Sequence, residues 1–245
     1  MISENNQFIG RLDTILRDYS PSEKVCAEIG RKSIVMFSGP FAIGKTTLMQ
    51  SIEKMDDNFS RTRCFTTRPC RSFSEQENYR FMPHTDDSIQ EILGKAAAGE
   101  LVQGMVHPTT GYIYGSELCD YGDGGTALLD IVPKAIESVE KLPFRESRII
   151  EVVTSPDIWQ ARVASRGDQH DDADRFARVK EAKHNLEWAL SRRDILWVDN
   201  SGAIQDVITA VLETIDGNDT ASQRARALGE ALLRQVNTSY LLYNT

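Results

Sequence analysis

Apolar residues recur at helical spacing near the start of the chain, with Phe8, Ile9, Leu12, Ile15 and Leu16 on one face, until Pro21 interrupts a pattern that resumes toward Ile29. This predicts a leading helix and a second, short one. Residues 33–38, Ser-Ile-Val-Met-Phe-Ser, are apolar without alternation and so read as a buried strand. A glycine loop separates them from a helical period through Leu48, Met49 and Ile52. Residues 61–80 are polar and rich in Thr, Arg and Ser. A helix is then predicted from Asp87-Ser88 through Ile89, Ile92 and Leu93, with Gly99 placed to close it, followed by a short strand at Leu101-Val102.

Two further stretches, 126–132 and 147–153, read as buried strands, each followed by helix-like sequence. Residues 157–193 are mostly helical in pattern, with a polar break at 166–172. Residues 195–198 supply the last strand and 203–215 the last core helix. After a linker-like stretch at 216–220, residues 221–236 form an amphipathic helix pattern. Strands alternating with helices imply a parallel sheet covered on both faces, an α/β architecture. Amphipathic helices at both ends suit either the completion of a core or a homodimer interface.

Composition narrows the function. With 245 residues, 40% hydrophobic and 26% charged, the chain fits one large domain plus extensions. The net charge of -8 argues against a protein that coats nucleic acid, because such binding rests on Lys and Arg neutralising phosphates. Any phosphate site must be local. No apolar run reaches the ~20 residues that a membrane-spanning helix needs, and the first residues lack the basic and apolar segments of a secretory signal. Cys26, Cys64, Cys70 and Cys119 show neither zinc spacing nor disulfide density, as expected of reduced cytoplasmic thiols.

Gly39-Pro-Phe-Ala-Ile-Gly-Lys-Thr46 fits the P-loop pattern, and it lies between a predicted strand and a predicted helix. Glycines let backbone N–H groups curl around phosphate oxygens, Lys45 would reach the outer phosphates, and Thr46 would hold Mg²⁺. The ATP-binding set is therefore Gly39, Ala42, Ile43, Gly44, Lys45, Thr46 and Thr47. Asp130, at the end of a buried strand, suits a Mg²⁺ partner, a cap of the turn before Pro133 being the alternative. Arg162, Arg166 and Arg178 suit stabilisation of a transferring phosphoryl group, although arginines on a helix face are commonly just solvated or paired. The segment Thr66-Thr-Arg68-Pro-Cys-Arg71, with Glu75 and Tyr79-Arg-Phe81, concentrates cations and hydroxyls and could bind a second phosphate. The phenols of Tyr112 and Tyr114 add donors without charge.

Taken in order, these pieces resemble the guanylate kinase family from about Ser33 to Ile215: the P-loop, Thr-Thr-Arg-Pro-x-Arg, Tyr-x-Phe, Tyr-Gly-Ser, the strand ending in Asp130, Arg162-x-x-x-Arg166-Gly and Arg178. The resemblance implies a three-layer α/β/α P-loop fold over 33–215, with a nucleotide-accepting insertion at about 61–118 and a helical lid at about 160–178. Residues 1–32 and 216–245 would be helical extensions. It implies ATP as phosphoryl donor, Mg²⁺ as cofactor, and a nucleoside monophosphate or other phosphorylated small molecule as acceptor. Catalytic roles would fall to Lys45, Arg162, Arg166 and Arg178, and a contact near the adenine to Asn200. Acceptor binding would fall to Arg68, Arg71, Tyr79, Gln103, Tyr114, Ser116 and Asp130.

Two departures fall on base recognition. Gln103 stands where the family has a glutamate facing guanine, and Val132 where it has a second aspartate; an amide cannot receive two N–H groups as a carboxylate does. GMP or a related purine nucleotide is the leading acceptor. The guanylate-kinase-like ribose 1,5-bisphosphate phosphokinases are the alternative, since they lack the base-reading acids. Non-catalytic scaffold modules of this likeness typically lose the loop lysine and lid arginines, which are kept here.

Overall fold

Strands with consecutive apolar residues have no face to leave in water, and such runs become the interior of one sheet. In the computed structural model, which describes residues 4–70, 73–107, 110–123, 125–165, 172–218 and 220–242, that sheet is parallel and five-stranded, in the order β2-β7-β1-β8-β9, flanked by helices. Its strands are β1 (Ser33–Ser38), β2 (Phe59–Arg61), β7 (Thr126–Asp130), β8 (Glu146–Val153) and β9 (Leu196–Asp199). All six positions of β1 are buried. The α/β class expected from the alternation is the one observed.

The chain divides into two compact units. The first comprises Met1–Ile34, Asp57–Leu128 and Lys134–Glu146. It carries a second sheet in the order β4-β3-β6-β5, built from β3 (Phe65–Thr66), β4 (Arg80–Phe81), β5 (Leu101–Val106) and β6 (Ile113–Glu117). One face of this sheet packs on α1 (Glu4–Arg17) and α4 (Asp86–Ala97), in a cluster of Leu12, Phe65, Ile89, Ile92, Leu101 and Ile113. Phe8, Ile9, Ile15 and Leu16 of the leading helix lie against it, so α1 supplies part of this unit's core. The Tyr19 hydroxyl donates to the Leu101 carbonyl at 2.6 Å, fixing the end of α1 to β5. Thr85 caps α4, its hydroxyl accepting from the Ser88 N–H.

Most of this second sheet departs from the expectation of a single short strand at Leu101-Val102. β3 and β4 are two residues each, too short to display an alternating pattern, and β6 is interrupted by Gly115. Pairing, rather than propensity, makes them strands.

The second unit comprises Val35–Asp56, Leu129–Pro133 and Ser147–Thr245. Its helices are α3 (Lys45–Met55), α6 (Pro156–Ser165), α7 (Asp172–Ser191), α8 (Ile204–Ile215) and α9 (Thr220–Leu242). The last of these turns its apolar face inward: Ala225, Leu232 and Val236 are buried. The Ser222 hydroxyl accepts from the Trp197 N–H of β9 at 2.8 Å, and Arg226 donates to the carbonyls of Leu190 and Arg192 at the end of α7. Stacking of Tyr240 on Phe176 carries α9 past the expected end at Val236. Among the described residues, no helix is long and apolar enough to cross a membrane.

Candidate functional site

In the second unit β1 runs directly into the loop of residues 39–44, which ends on the first turn of α3. Gly39 has φ 141° and Gly44, the residue preceding α3, has φ 99°, both in the region that favours glycine. Space imposes the same demand, since a Cβ at Gly39 would lie 2.5 Å from the Val152 carbonyl oxygen, and one at Gly44 would lie 2.5 Å from the Asn200 amide nitrogen. Ala42 is left-handed without being glycine (φ 60°), at a cost of about 1–2 kcal/mol.

Donors from α6 and from the turn after β9 hold that loop. The Trp159 indole N–H donates to the Phe41 carbonyl at 3.0 Å, and the two rings meet edge to face. Arg162 Nη1 and Asn200 Nδ2 both donate to the Ile43 carbonyl, each at 2.8 Å, while Arg162 Nη2 reaches the Asn200 carbonyl at 3.1 Å. Asn200 is buried and so, in this structure, acts on the loop's backbone. The Arg178 guanidinium lies over the Phe41 ring, 5.8 Å from its centroid. Arg166 lies outside the described residues.

Lys45 opens α3, where the backbone N–H groups of the first turn lack intrahelical partners and carry the positive end of the helix dipole. Its ammonium donates to the Gly39 carbonyl at 2.6 Å and stands 3.8 Å from Asp130 Oδ1. No acidic residue occupies the first turn of α3. Thr46 is half-buried and Thr47 exposed in that turn. Burial pushes the Asp130 carboxyl upward and Lys45 pulls it back, yet its side chain is 35% exposed, so water reaches it and the ionised form is the relevant one. Glycines, a lysine and a helix N-terminus in this order can bind an anion, and the partly exposed Thr46 and Asp130 offer hard oxygen donors to a cation.

In the first unit, strand pairing sets a second group of residues. Thr66 lies opposite Tyr114 on one side and Phe81 on the other, so these three share the face turned away from Phe65 and the α1/α4 core. Arg68 follows two residues on. Its guanidinium lies over the neighbouring rings of Tyr79 and Phe81, each centroid 5.2 Å away, and Tyr114 lies edge-on to Tyr79. Glu75 takes both ends of the guanidinium, at 2.9 and 3.0 Å. Burial alone lowers the pKa of Arg68, and the Glu75 carboxylate overrides it, so the net shift is upward and the charge is locked on. Arg71 lies outside the described residues.

Gln103 and Ser116 are opposite each other on β5 and β6, and both are buried. The Gln103 amide nitrogen points to Cys64 Sγ at 3.9 Å, and the Ser116 hydroxyl is bonded to the Tyr121 hydroxyl at 2.9 Å. No carboxylate is among these contacts. The acids that follow Ser116, Glu117 and Asp120, are taken by Arg80, and Glu117 also by Lys95.

The structure thus groups Gly39, Ala42, Ile43, Gly44, Lys45, Thr46, Asp130, Arg162, Arg178 and Asn200 in one unit, and Arg68, Tyr79, Tyr114, Gln103 and Ser116 in the other. Sequence reasoning missed Trp159, whose N–H holds a backbone carbonyl far away along the chain and leaves no local signature. It also left the bidentate partnership of Glu75 with Arg68 unrecognised, although the acid in that segment was visible.

No family model matches the chain. It is 25% identical over 177 residues to the ribose 1,5-bisphosphate phosphokinase PhnN of Ruegeria sp. (strain TM1040), covering 71% of this chain and 87% of that protein. It is 26% identical over 162 residues to the guanylate kinase of Lactococcus lactis subsp. lactis (strain IL1403), covering 64% of this chain and 75% of the relative. Among solved structures, guanylate kinase from Anaplasma phagocytophilum matches its fold with a TM-score of 0.51 at 15% identity, over 77% of this chain and 86% of that one.

Proposed function

The chain belongs to the guanylate-kinase-like family, and from that premise we propose that it transfers the γ-phosphoryl group of ATP to the phosphate of a nucleoside monophosphate, GMP or a related purine nucleotide. The observation that carries the reading is the loop of residues 39–44: two left-handed glycines, a carbonyl-clamped backbone and Lys45 at the N-terminus of α3. That arrangement has the chemistry of a triphosphate cradle.

In this reading the helix N-terminus and Lys45 neutralise the outer phosphates of ATP, and Arg178 adds positive charge beside the loop. Thr46 and Asp130 would hold Mg²⁺, which their hard, partly exposed oxygens fit; when bound, that ion neutralises charge on the transferring phosphates. The acceptor phosphate would lie against Arg68, Tyr79 and Tyr114. One of its anionic oxygens attacks the γ-phosphorus in line, the bond to the β-bridging oxygen breaks, and that electron pair leaves with ADP. No general base is needed, because the attacking oxygen already carries charge.

A second reading changes the acceptor to a sugar phosphate such as ribose 1,5-bisphosphate. It is favoured by the neutral base-facing positions: Gln103 directs its amide to Cys64, and the Ser116 hydroxyl is taken by Tyr121. A site built to pair a guanine edge loses discrimination when its carboxylate is replaced. ADP production from Mg-ATP, measured against GMP, other nucleoside monophosphates and ribose 1,5-bisphosphate, separates the two. A wild-type protein that neither binds Mg-ATP nor forms ADP with any of them overturns the kinase reading.

A further inference from the structure

β8 carries one charged residue through the interior of the second unit. Glu151 has 0% exposure, flanked by Ile150 and Val152, which are equally buried. Neither of its carboxyl oxygens has a well-aligned hydrogen-bond partner among the described residues. An ionised carboxylate so placed would be expensive. Burial pushes this acid up to about 8, against the opposing pull of the Ser38 hydroxyl and of Lys45 on α3, the charged group that acts on it. At neutral pH it is a neutral acid with one O–H to donate.

Its neighbourhood is short of a donor. Ser38, fully buried, is the last residue of β1 and immediately precedes Gly39. Its hydroxyl accepts from Asn185 Nδ2 of α7 at 2.8 Å, while Asn185 Oδ1 is buried without a partner. A carboxylic acid proton is the kind of donor such a group lacks. Two of these side chains lead to the phosphate loop. Ser38 begins it, and α7, which carries Asn185, also lays Arg178 over Phe41 inside it.

We propose that the buried Glu151 is a positioning residue that ties Ser38 at the start of the loop to Asn185 of α7, setting the register of Arg178 against that loop. It touches no substrate and acts through these two partners. The inference deepens the kinase reading by adding a residue to its nucleotide half, and rests on that reading for its kinetic consequences alone.

The test uses Glu151→Gln, Glu151→Leu and Asn185→Leu in the full chain, with the double variant. Readouts are thermal unfolding, Mg-ATP binding by calorimetry, and steady-state kinetics from about pH 6 to about pH 9. The Gln variant keeps a neutral donor and is expected to hold wild-type KM for ATP within about twofold at neutral pH, and to lose the wild-type decline at alkaline pH. The Leu variant is expected to raise KM for ATP roughly tenfold while leaving KM for the acceptor unchanged, one hydrogen-bonded link being worth that much. Glu151→Leu and Asn185→Leu should be non-additive in unfolding, as members of one network are. The proposal is overturned if the Gln variant is as impaired as Leu, or if Leu matches wild type, or if the two Leu substitutions simply add. Should Glu151→Leu not fold, the pH profile of the Gln variant decides. A wild-type protein that binds no Mg-ATP defeats the kinase reading instead, and the coupling in unfolding still judges the link.

Discussion

Replacing Glu151 by Gln should change how stability depends on pH, and the size of the change follows from burial. In the unfolded chain a glutamate titrates near its ordinary value of 4.5, while in the folded protein this one is pushed up to about 8. Between those values the folded state holds a proton that the unfolded state has released, so wild-type stability falls as pH rises, by about 1.4 kcal/mol per unit. The whole window is worth roughly 5 kcal/mol, most of it spent by pH 7, and the loss levels off above about pH 8. Gln carries no such proton. The difference in unfolding free energy between variant and wild type should therefore grow in favour of Gln from about pH 5 to about pH 8 and then stay constant. Urea unfolding followed by tryptophan fluorescence is the suitable assay, because Trp159, Trp188 and Trp197 all lie in the second unit and report on it alone. Parallel stability curves for the two proteins would mean that Glu151 takes up no proton on folding, and the argument from its burial would collapse.

Lys45→Ala should lower turnover by about 100-fold or more, through loss of charge stabilisation at the transferring phosphates, with circular dichroism unchanged; wild-type ADP production by this variant would remove the loop from the mechanism. Arg68→Ala should raise KM for the acceptor at least about tenfold and leave KM for ATP unaltered, and an ATP effect of equal size would point to a structural role. Gln103→Glu restores a carboxylate opposite Ser116; if the acceptor is a purine nucleotide, the ratio of kcat/KM for GMP over other acceptors should rise, whereas a sugar-phosphate kinase should gain nothing. Deleting α9 takes the buried Leu232 and Val236 out of the core, each worth roughly 1.5–3 kcal/mol of burial, and uncovers Trp197, so the fluorescence-detected midpoint of the second unit should drop sharply; an unchanged midpoint would make α9 an appendage.

The loop of residues 39–44 was legible in the sequence because its requirements fall on the backbone. Left-handed positions at 39 and 44 call for glycine at fixed spacing, and a strand before and a helix after can be read from apolar periodicity. What holds the loop was not legible, because Trp159, Arg162 and Asn200 donate to main-chain carbonyls, which every residue has and no sequence marks. The second sheet escaped for a related reason. Two-residue strands carry no period, and Phe65–Thr66 becomes a strand only once Gly115 and Tyr114 lie beside it. Glu151 was visible as a lone acid within Ile149–Val153, but alternation with Trp197, its neighbour on β9, does not distinguish a buried acid from an edge residue. Glu75 was visible among the cations of that segment, but side-chain geometry was needed to assign its partner.

The carbonyl clamps also explain how a loop of ordinary residues comes to present donors. The described residues contain no cis peptide, so each carbonyl points opposite to the N–H of the following residue. With the Ile43 oxygen drawn toward Arg162 and Asn200, the Gly44 N–H is turned the other way; with the Phe41 oxygen drawn toward Trp159, the same holds for Ala42. Lys45 donates to the Gly39 carbonyl at 2.6 Å and more distantly to that of Pro40 at 3.4 Å; the residue after Gly39 is Pro40, which has no N–H to misdirect. Side chains bonded to these carbonyls thus fix the direction of the loop's amides. An arginine such as Arg162 can therefore serve the nucleotide through the loop's backbone, which is why its loss should weaken ATP binding before it slows chemistry.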